Sequence, residues 1–286
     1  MDARLQRRVQ RYGWDLAAAA YEPLWQPQLA CAQATLLARA ALAPRERVLD
    51  VACGTGLVAF AAAEEVGPDG RVVGVDLSGR MVDAARRRAQ ERSSTRVTFV
   101  RMDAESLDLP DADFDVALCA LGLMYVPDPA QALREMRRVL RPGGRVVLAV
   151  WGERSRCGWS AVFPIVEAEV TTEVCPLFFR LGQNGALARL CVDAGFRDLG
   201  QRRIAATLDY ADADEACDAA LLGGPVALAW SRFDDDVRAR VRSLYVEAIA
   251  AWRHDQGYRV PGEFVIVTAK APGGRSAHER AKSRHE

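Results

Sequence analysis

Lysine is nearly missing from this chain: Lys270 and Lys282 are the only two, so all the other basic residues among its 38 are arginine. A catalytic Tyr-x-x-x-Lys pair is therefore hard to find. Histidine is scarce too, with only His254, His278 and His285. No Cys-x-x-Cys pair occurs, and the seven cysteines (Cys31, Cys53, Cys119, Cys157, Cys175, Cys191 and Cys217) are odd in number. Neither a disulfide framework nor a zinc site is written in that spacing, and no metal is expected. Most of the thiols should be buried in a reducing cytoplasm. Cys157 and Cys175 fall outside the recognisable core and are the ones to watch for reactivity. Charge of one sign is also lacking: 38 acidic and 38 basic residues give a formal net charge of zero. A protein that grips phosphates usually carries a basic surplus, so nucleic acid is not an expected partner. The basic stretch Ala85–Arg96 reads as the solvated face of a helix. No apolar run reaches the roughly 18 residues that span a bilayer. The N-terminal MDARLQRRVQRYGWD has charge without an apolar block, so neither a membrane partner nor a secretory signal is expected.

What is present is an alternation. The 286 residues, half of them hydrophobic, suit one α/β domain with an elaborated part. Residues 1–43 read as N-terminal helices, ended by Pro44. From Val48 short apolar strands alternate with helices: strands at Val48–Ala52, Val72–Val75, Val97–Arg101, Phe114–Cys119 and Arg145–Val150, helices at about Leu57–Val66, Gly79–Glu91 and Ala130–Leu140. That pattern implies a parallel sheet covered on both faces. Pro142-Gly143-Gly144 reads as the turn into the fifth strand. The core is thus 44–151. Residues 152–271 supply the rest of the sheet and a helical lid, inserted as 211–262 between strands at Ile204–Tyr210 and Phe264–Ala269. Trp159–Val174 and Asn184–Phe196 look helical. Within the insert, Val237, Val241, Leu244, Tyr245, Ala248, Ile249 and Trp252 keep helical spacing behind an acidic start. The tail 272–286 has the composition of a disordered segment.

The chemistry begins at VLDVACGTGLVAF, Val48–Phe60. Gly54, Gly56 and Ala59 satisfy G-x-G-x-x-[GA], and Asp76 follows 22 residues after Gly54 at the end of the next strand. Any α/β nucleotide site needs these parts: glycines that let the backbone approach, and an acid that reads a diol. Asp50 breaks the tie. In a dinucleotide enzyme the helix N-terminus at this place faces a pyrophosphate. A carboxylate beside that dianion would be repelled by on the order of a few kcal/mol. A ligand that brings an ammonium and a sulfonium would be favoured there instead, and S-adenosylmethionine is such a ligand.

The stretch Val48–Ala89 resembles the opening of a class I S-adenosylmethionine-dependent methyltransferase. The later run VRMDAESLDLPDADFDVALCALGLMYVPDPAQALREMRRVLRPGGRVVLAVWG, Val100–Gly152, is similar to the ubiquinone/menaquinone C-methyltransferase branch. WDLAAAAYEPLW, from Trp14, resembles that branch's W-x-x-x-A-x-x-Y segment. The likeness covers residues 45–152 with four motifs in order. It implies a Rossmann-like, doubly wound, seven-stranded sheet, mostly parallel with an antiparallel last strand, plus a helical lid. It implies S-adenosyl-L-methionine as cofactor, leaving as S-adenosyl-L-homocysteine. Asp50, Ala52, Gly54 and Gly56 would border the methionine half, with Cys53 and Thr55 giving mainly backbone. Asp76 would take the ribose hydroxyls, and Leu77 and Met81 would flank the adenine. Asp103 would accept from the adenine amino group beside Ala104 and Glu105. Cys119 and Ala120 would lie under the sulfonium, and Tyr21 would close over the amino-acid end.

Relatives often carry a histidine after the fourth strand, where this chain has Met124 and Tyr125. The candidate bases are then His254, behind the lid helix, and more weakly Tyr125 and Tyr245. Trp159, Phe163, Phe178, Phe179, Trp230, Phe233 and Trp252 pack the lid or face an acceptor cavity. In the second case the acceptor is a small apolar or aromatic metabolite, with carbon or oxygen methylation favoured. A nicotinamide-dependent oxidoreductase and a non-catalytic cofactor-binding protein are the rival readings. The N-terminal helices and the lid offer surfaces for a homodimer.

Overall fold

The computed structural model describes residues 3–170 and 178–273. Cys175, His278, His285 and most of the C-terminal tail lie outside the described residues, as does the end of the helical stretch expected over 159–174.

Eight strands make one sheet: β1 (Arg47–Val51), β2 (Arg71–Asp76), β3 (Val97–Arg101), β4 (Phe114–Ala120), β5 (Leu140–Trp151), β6 (Arg197–Tyr210), the two-residue β7 (Arg253–His254) and β8 (Gly257–Lys270). The order is β3-β2-β1-β4-β5-β8-β6, with β7 paired to the start of β8. Strands β1 to β5 run parallel, and β8 lies antiparallel between β5 and β6. The central strands read as unbroken apolar runs because both faces are covered: Val48, Leu49, Val116, Leu118, Val146 and Val147 are all fully buried. Helices α2 (Leu57–Val66), α3 (Gly79–Glu91) and α4 (Pro129–Val139) supply the crossovers. Ser78 caps α3 by accepting from Met81 N, and Asp128 caps α4 by accepting from Gln131 N. The strand order reverses at β1, which pairs with β2 on one side and β4 on the other. That reversal opens a crevice at the carboxyl ends of the strands.

The N-terminal region is one helix, α1 (Ala3–Ala40), despite Pro23 and Pro27 inside it. Both prolines are exposed, so the backbone groups they leave unpaired can turn to water. The second half of α1 buries Trp25, Leu29, Ala32, Leu36 and Ala40. Gln28 fixes it to β6 with two bonds, its Nε2 donating to Asp209 O at 2.6 Å and its Oε1 accepting from Asp209 N at 3.0 Å.

Three strand boundaries differ from the sequence expectation, one of them that of β6, which starts at Arg197 rather than Ile204. Strand β5 starts at Leu140 rather than after Gly144, and the ladder with β4 shifts register between Phe114 and Val116. Strand β8 starts at Gly257, so residues 257–262, expected in the lid, extend a ribbon with β6. Strand β5 ends opposite Phe264, at Trp151. Pro261 lies beyond that end, where no β5 ladder needs its missing N–H. After β5 come α5 (Val162–Glu167) and α6 (Ala186–Asp193); the lid helices are α7 (Ala213–Leu221), α8 (Ala227–Trp230) and α9 (Asp235–Ala248).

Candidate functional site

The crevice is a cleft of about 790 Å³, counting its open mouth. Each wall comes from the end of a strand. Ala52 and Gly54 follow β1; Asp76, Leu77 and Met81 follow β2; Asp103 and Ala104 follow β3; Ala120 and Tyr125 follow β4. Helix α1 roofs it with Arg7, Gln10, Trp14 and Tyr21.

The glycine loop turns through left-handed backbone at Ala52 (φ 57°), Gly54 (φ 54°) and Gly56 (φ 88°). Gly56 has a second constraint. A Cβ there would stand 2.7 Å from Phe99 Cζ and 2.9 Å from Phe60 Cε2, so only glycine fits. The loop's position is then read by Asp76. Its Oδ2 accepts from Gly54 N at 2.8 Å and its Oδ1 from Ser78 N at 2.8 Å. Each oxygen keeps a further lone pair, and Asp76 lines the cleft. Burial pushes the Asp76 carboxyl up to about 6, although the Ser78 and Gly54 N–H groups pull the other way.

Asp50 is the anomaly. It is 1% exposed, and neither carboxylate oxygen has a hydrogen-bond partner among the described residues. Burial, and next the neighbouring Asp76 charge, push it up to about 8. The Ala59 N–H, in the first turn of α2, is near enough to lower it slightly but makes no geometrically sound bond. Thr55 Oγ1 is likewise buried and unpaired among the described residues. Asp50, Cys53, Thr55 and Gln33 line a small polar recess that shares Tyr21, Ala52, Gly54 and Ala120 with the walls of the cleft. Burial, then the Asp76 and Asp50 charges, raise the Tyr21 phenol well above the usual range. A recess lined by unpaired acceptors suits a cation.

The sequence candidates therefore divide. Tyr21, Ala52, Gly54, Asp76, Leu77, Met81, Asp103, Ala104, Ala120 and Tyr125 share the cleft, and Asp50, Cys53 and Thr55 share the recess. Gly56 shapes the loop from behind. Glu105 does not face the cleft: it is buried, pairs with Arg7 and accepts from Asp128 N, tying α1 and α4 together. Cys119 is 1% exposed and lines neither hollow; burial pushes its thiol up to about 12. His254 is also misplaced by the sequence reading. It ends the exposed strand β7, 3.1 Å from the Asp255 carboxylate, and lines no part of the cleft. Tyr245 is wholly buried inside the lid.

Arg7, Gln10, Gln33 and Trp14 went unassigned in the sequence. Trp14 had a signal: it stands seven residues before Tyr21, hence on the same helix face, and the two rings meet edge to face at 5.6 Å. Arg7 had none, because its partners Asp103 and Glu105 are distant in sequence; its Nε lies 3.1 Å from Asp103 Oδ2.

Residues 48–144 match the family model described as a methyltransferase domain. Over those residues the chain is similar to methyltransferase domains. The chain is 40% identical over 116 residues to the demethylmenaquinone methyltransferase of Listeria monocytogenes serotype 4b, covering 41% of this chain and 49% of that protein. It is 42% identical over 156 residues to a 37.1 kDa protein in transposon TN4556 of Streptomyces fradiae, covering 54% and 44%. The chain thus spans about half the length of these curated relatives. Among solved structures, the (4+2)-cyclase SpnF has a TM-score of 0.56 at 25% identity, covering 85% of this chain and 80% of that one. A Bacillus halodurans protein described as a putative methyltransferase has a TM-score of 0.59 at 22% identity, covering 84% and 98%; that likeness concerns the fold alone. The methyltransferase family's cofactor is S-adenosylmethionine, and the residues fit it, since the unpaired Asp50 oxygens suit the ammonium of its amino-acid end. No helix among the described residues is long and apolar enough to cross a membrane.

Proposed function

We propose that the protein transfers a methyl group from S-adenosylmethionine to a small, apolar or aromatic metabolite, at carbon or oxygen. The observation that carries this reading is Asp50, a buried carboxylate at the head of the glycine loop with both oxygens unpaired among the described residues. Such a group suits an ammonium and repels a pyrophosphate.

When bound, the cofactor supplies a methyl group activated by a positive sulfur. The chain's own residues hold and orient. Asp50 and Thr55 receive the amino-acid end, with Gln33 and Tyr21 beside them. Asp76, already locked by two backbone N–H groups, offers its remaining lone pairs to the ribose hydroxyls. Leu77 and Met81 flank the base, and Asp103 accepts from its amino group. Ala120 borders the sulfur, with Cys119 packed behind it. Arg7 pairs with Asp103, and Asp15 accepts from Ser78 Oγ at 2.6 Å; both fasten α1 over the cleft. Enclosure of this kind excludes water and aligns the reactants.

A panel of phenols, enolisable ketones, thiols and amines incubated with methyl-labelled cofactor tests the reading. Label should pass to apolar oxygen- or carbon-centred acceptors; transfer only to polar amines would refute it. The likeness to SpnF favours one second reading, a cofactor-binding protein that performs cyclisation without methyl transfer. Saturable cofactor binding with no label transferred to any acceptor would select it.

A further inference from the structure

Beside the cleft lies a second, narrower hollow, about 300 Å³ when the open space at its mouth is counted. The two share Trp14, Tyr21, Leu121 and Tyr125. Its far wall is made of indoles: Trp25 from α1, Trp151 at the end of β5, and Trp159 from the tight turn Gly158–Ala161. Trp25 meets Trp159 edge to face at 5.5 Å and Trp151 at 5.9 Å. Phe163 and Phe178 pack behind Trp159 at 5.6 and 5.5 Å. Of the seven lid aromatics named from the sequence, Trp159 alone reaches this hollow; Trp230 and Phe233 pair with each other elsewhere at 6.3 Å.

Two of the indoles differ in one respect. Trp25 Nε1 donates to Ala219 O at 3.0 Å. Trp159 is 1% exposed, yet its Nε1 has no hydrogen-bond partner among the described residues. A buried indole N–H normally finds an acceptor. A site that keeps an unpaired donor discriminates strongly between ligands that can and cannot accept from it.

We propose that Trp159 is a specificity-determining residue for the methyl acceptor: its Nε1–H donates to a carbonyl or phenolic oxygen of a planar, otherwise apolar molecule held in the indole-walled hollow. Indole walls offer ring faces and edges to an aromatic molecule, which is planar. Hydrocarbons leave the donor unmet. Ammonium groups meet a donor with a donor and lose their water. For the acceptor's fate the inference rests on the methyltransferase reading; for its binding it does not.

The test uses two probes of the same shape, acetophenone and α-methylstyrene, which differ by C=O against C=CH2. Each is titrated calorimetrically into the full chain saturated with S-adenosylhomocysteine. The wild type should prefer acetophenone by roughly tenfold, the discrimination expected of one neutral hydrogen bond. Trp159→Phe should abolish that preference by weakening acetophenone while leaving α-methylstyrene within about twofold. Trp25→Phe, whose indole is already committed to Ala219, should keep the preference. In the wild-type complex the acetophenone carbonyl stretch should move to lower wavenumber, a signature that needs no variant to fold. Equal loss of both probes in Trp159→Phe, an unchanged preference, an unshifted carbonyl band, or no binding of either probe would overturn the inference. Persistent preference without methyl transfer to any acceptor would count against the methyltransferase reading alone.

Discussion

Replacing Asp50 with asparagine should stabilise the empty protein and weaken its grip on the cofactor, two effects of opposite sign from one substitution. The folded chain holds the Asp50 proton up to about pH 8, whereas the unfolded chain releases it near the ordinary value of 3.8. Between those values the native state binds more protons than the unfolded state. Stability therefore falls as pH rises from about 4 to about 8 and then levels off. At pH 7 the gap of about three units corresponds to on the order of 4 kcal/mol. The neutral amide of Asp50→Asn would not suffer this penalty but would itself be left unpaired, at about 1–3 kcal/mol. The net gain is then roughly 1–3 kcal/mol, a rise in Tm of several degrees for a chain of this size. Asp76, pushed up to about 6, adds a slope of the same sign below pH 6 that the variant retains. Cofactor affinity should move the other way. Losing one charge-assisted contact costs about 1.5–3 kcal/mol, or roughly 10- to 100-fold. The loss should be smaller at pH 7 than at pH 9, because the wild-type carboxyl must first give up its proton. Thermal melts from pH 5 to pH 9 and calorimetry with S-adenosylhomocysteine read both effects. A variant that is less stable than wild type at pH 8 and binds the cofactor unchanged would refute the reasoning.

Gly56→Ala should cost about 2–4 kcal/mol, from the left-handed backbone and the 2.7 Å approach to Phe99, seen as a large drop in Tm. Arg7→Ala should cost about 1–3 kcal/mol, since it leaves an oxygen of the buried Glu105 carboxylate unpaired, and should also speed cofactor release several-fold in stopped-flow chase; an unchanged off-rate would exclude α1 as a clasp. His254→Ala should leave kcat and its pH profile unchanged, because the side chain stands exposed at the end of β7, away from the cleft.

Legibility from sequence followed locality. The loop at Gly54, Asp50 before it and Asp76 after it are neighbours in a strand–turn–helix unit, so periodicity and punctuation placed them together. The parallel core was equally readable, because strands buried on both faces become uninterrupted valine and leucine runs. Residues 1–43, read as helices, form a single one, and the last strand starts before Phe264. Pro23 and Pro27 do not end α1 because they face solvent, and Pro261 with Gly262 does not end β8 because β5 no longer pairs there. Non-local partners were invisible. Glu105 looked like part of a binding motif, but Arg7, 98 residues away, occupies it. Trp25, Trp151 and Trp159 come from three separate segments and meet only in the fold.

The claim beneath the whole account is that the buried Asp50 carboxyl receives a cation and loses its proton in doing so. Calorimetric titration of S-adenosylhomocysteine at pH 7, in two buffers of different ionisation enthalpy, counts that proton. A group pushed up to about 8 is mostly protonated at pH 7, so nearly one proton should be released per cofactor bound, and none from Asp50→Asn. Binding without proton release, or with proton uptake, would contradict it.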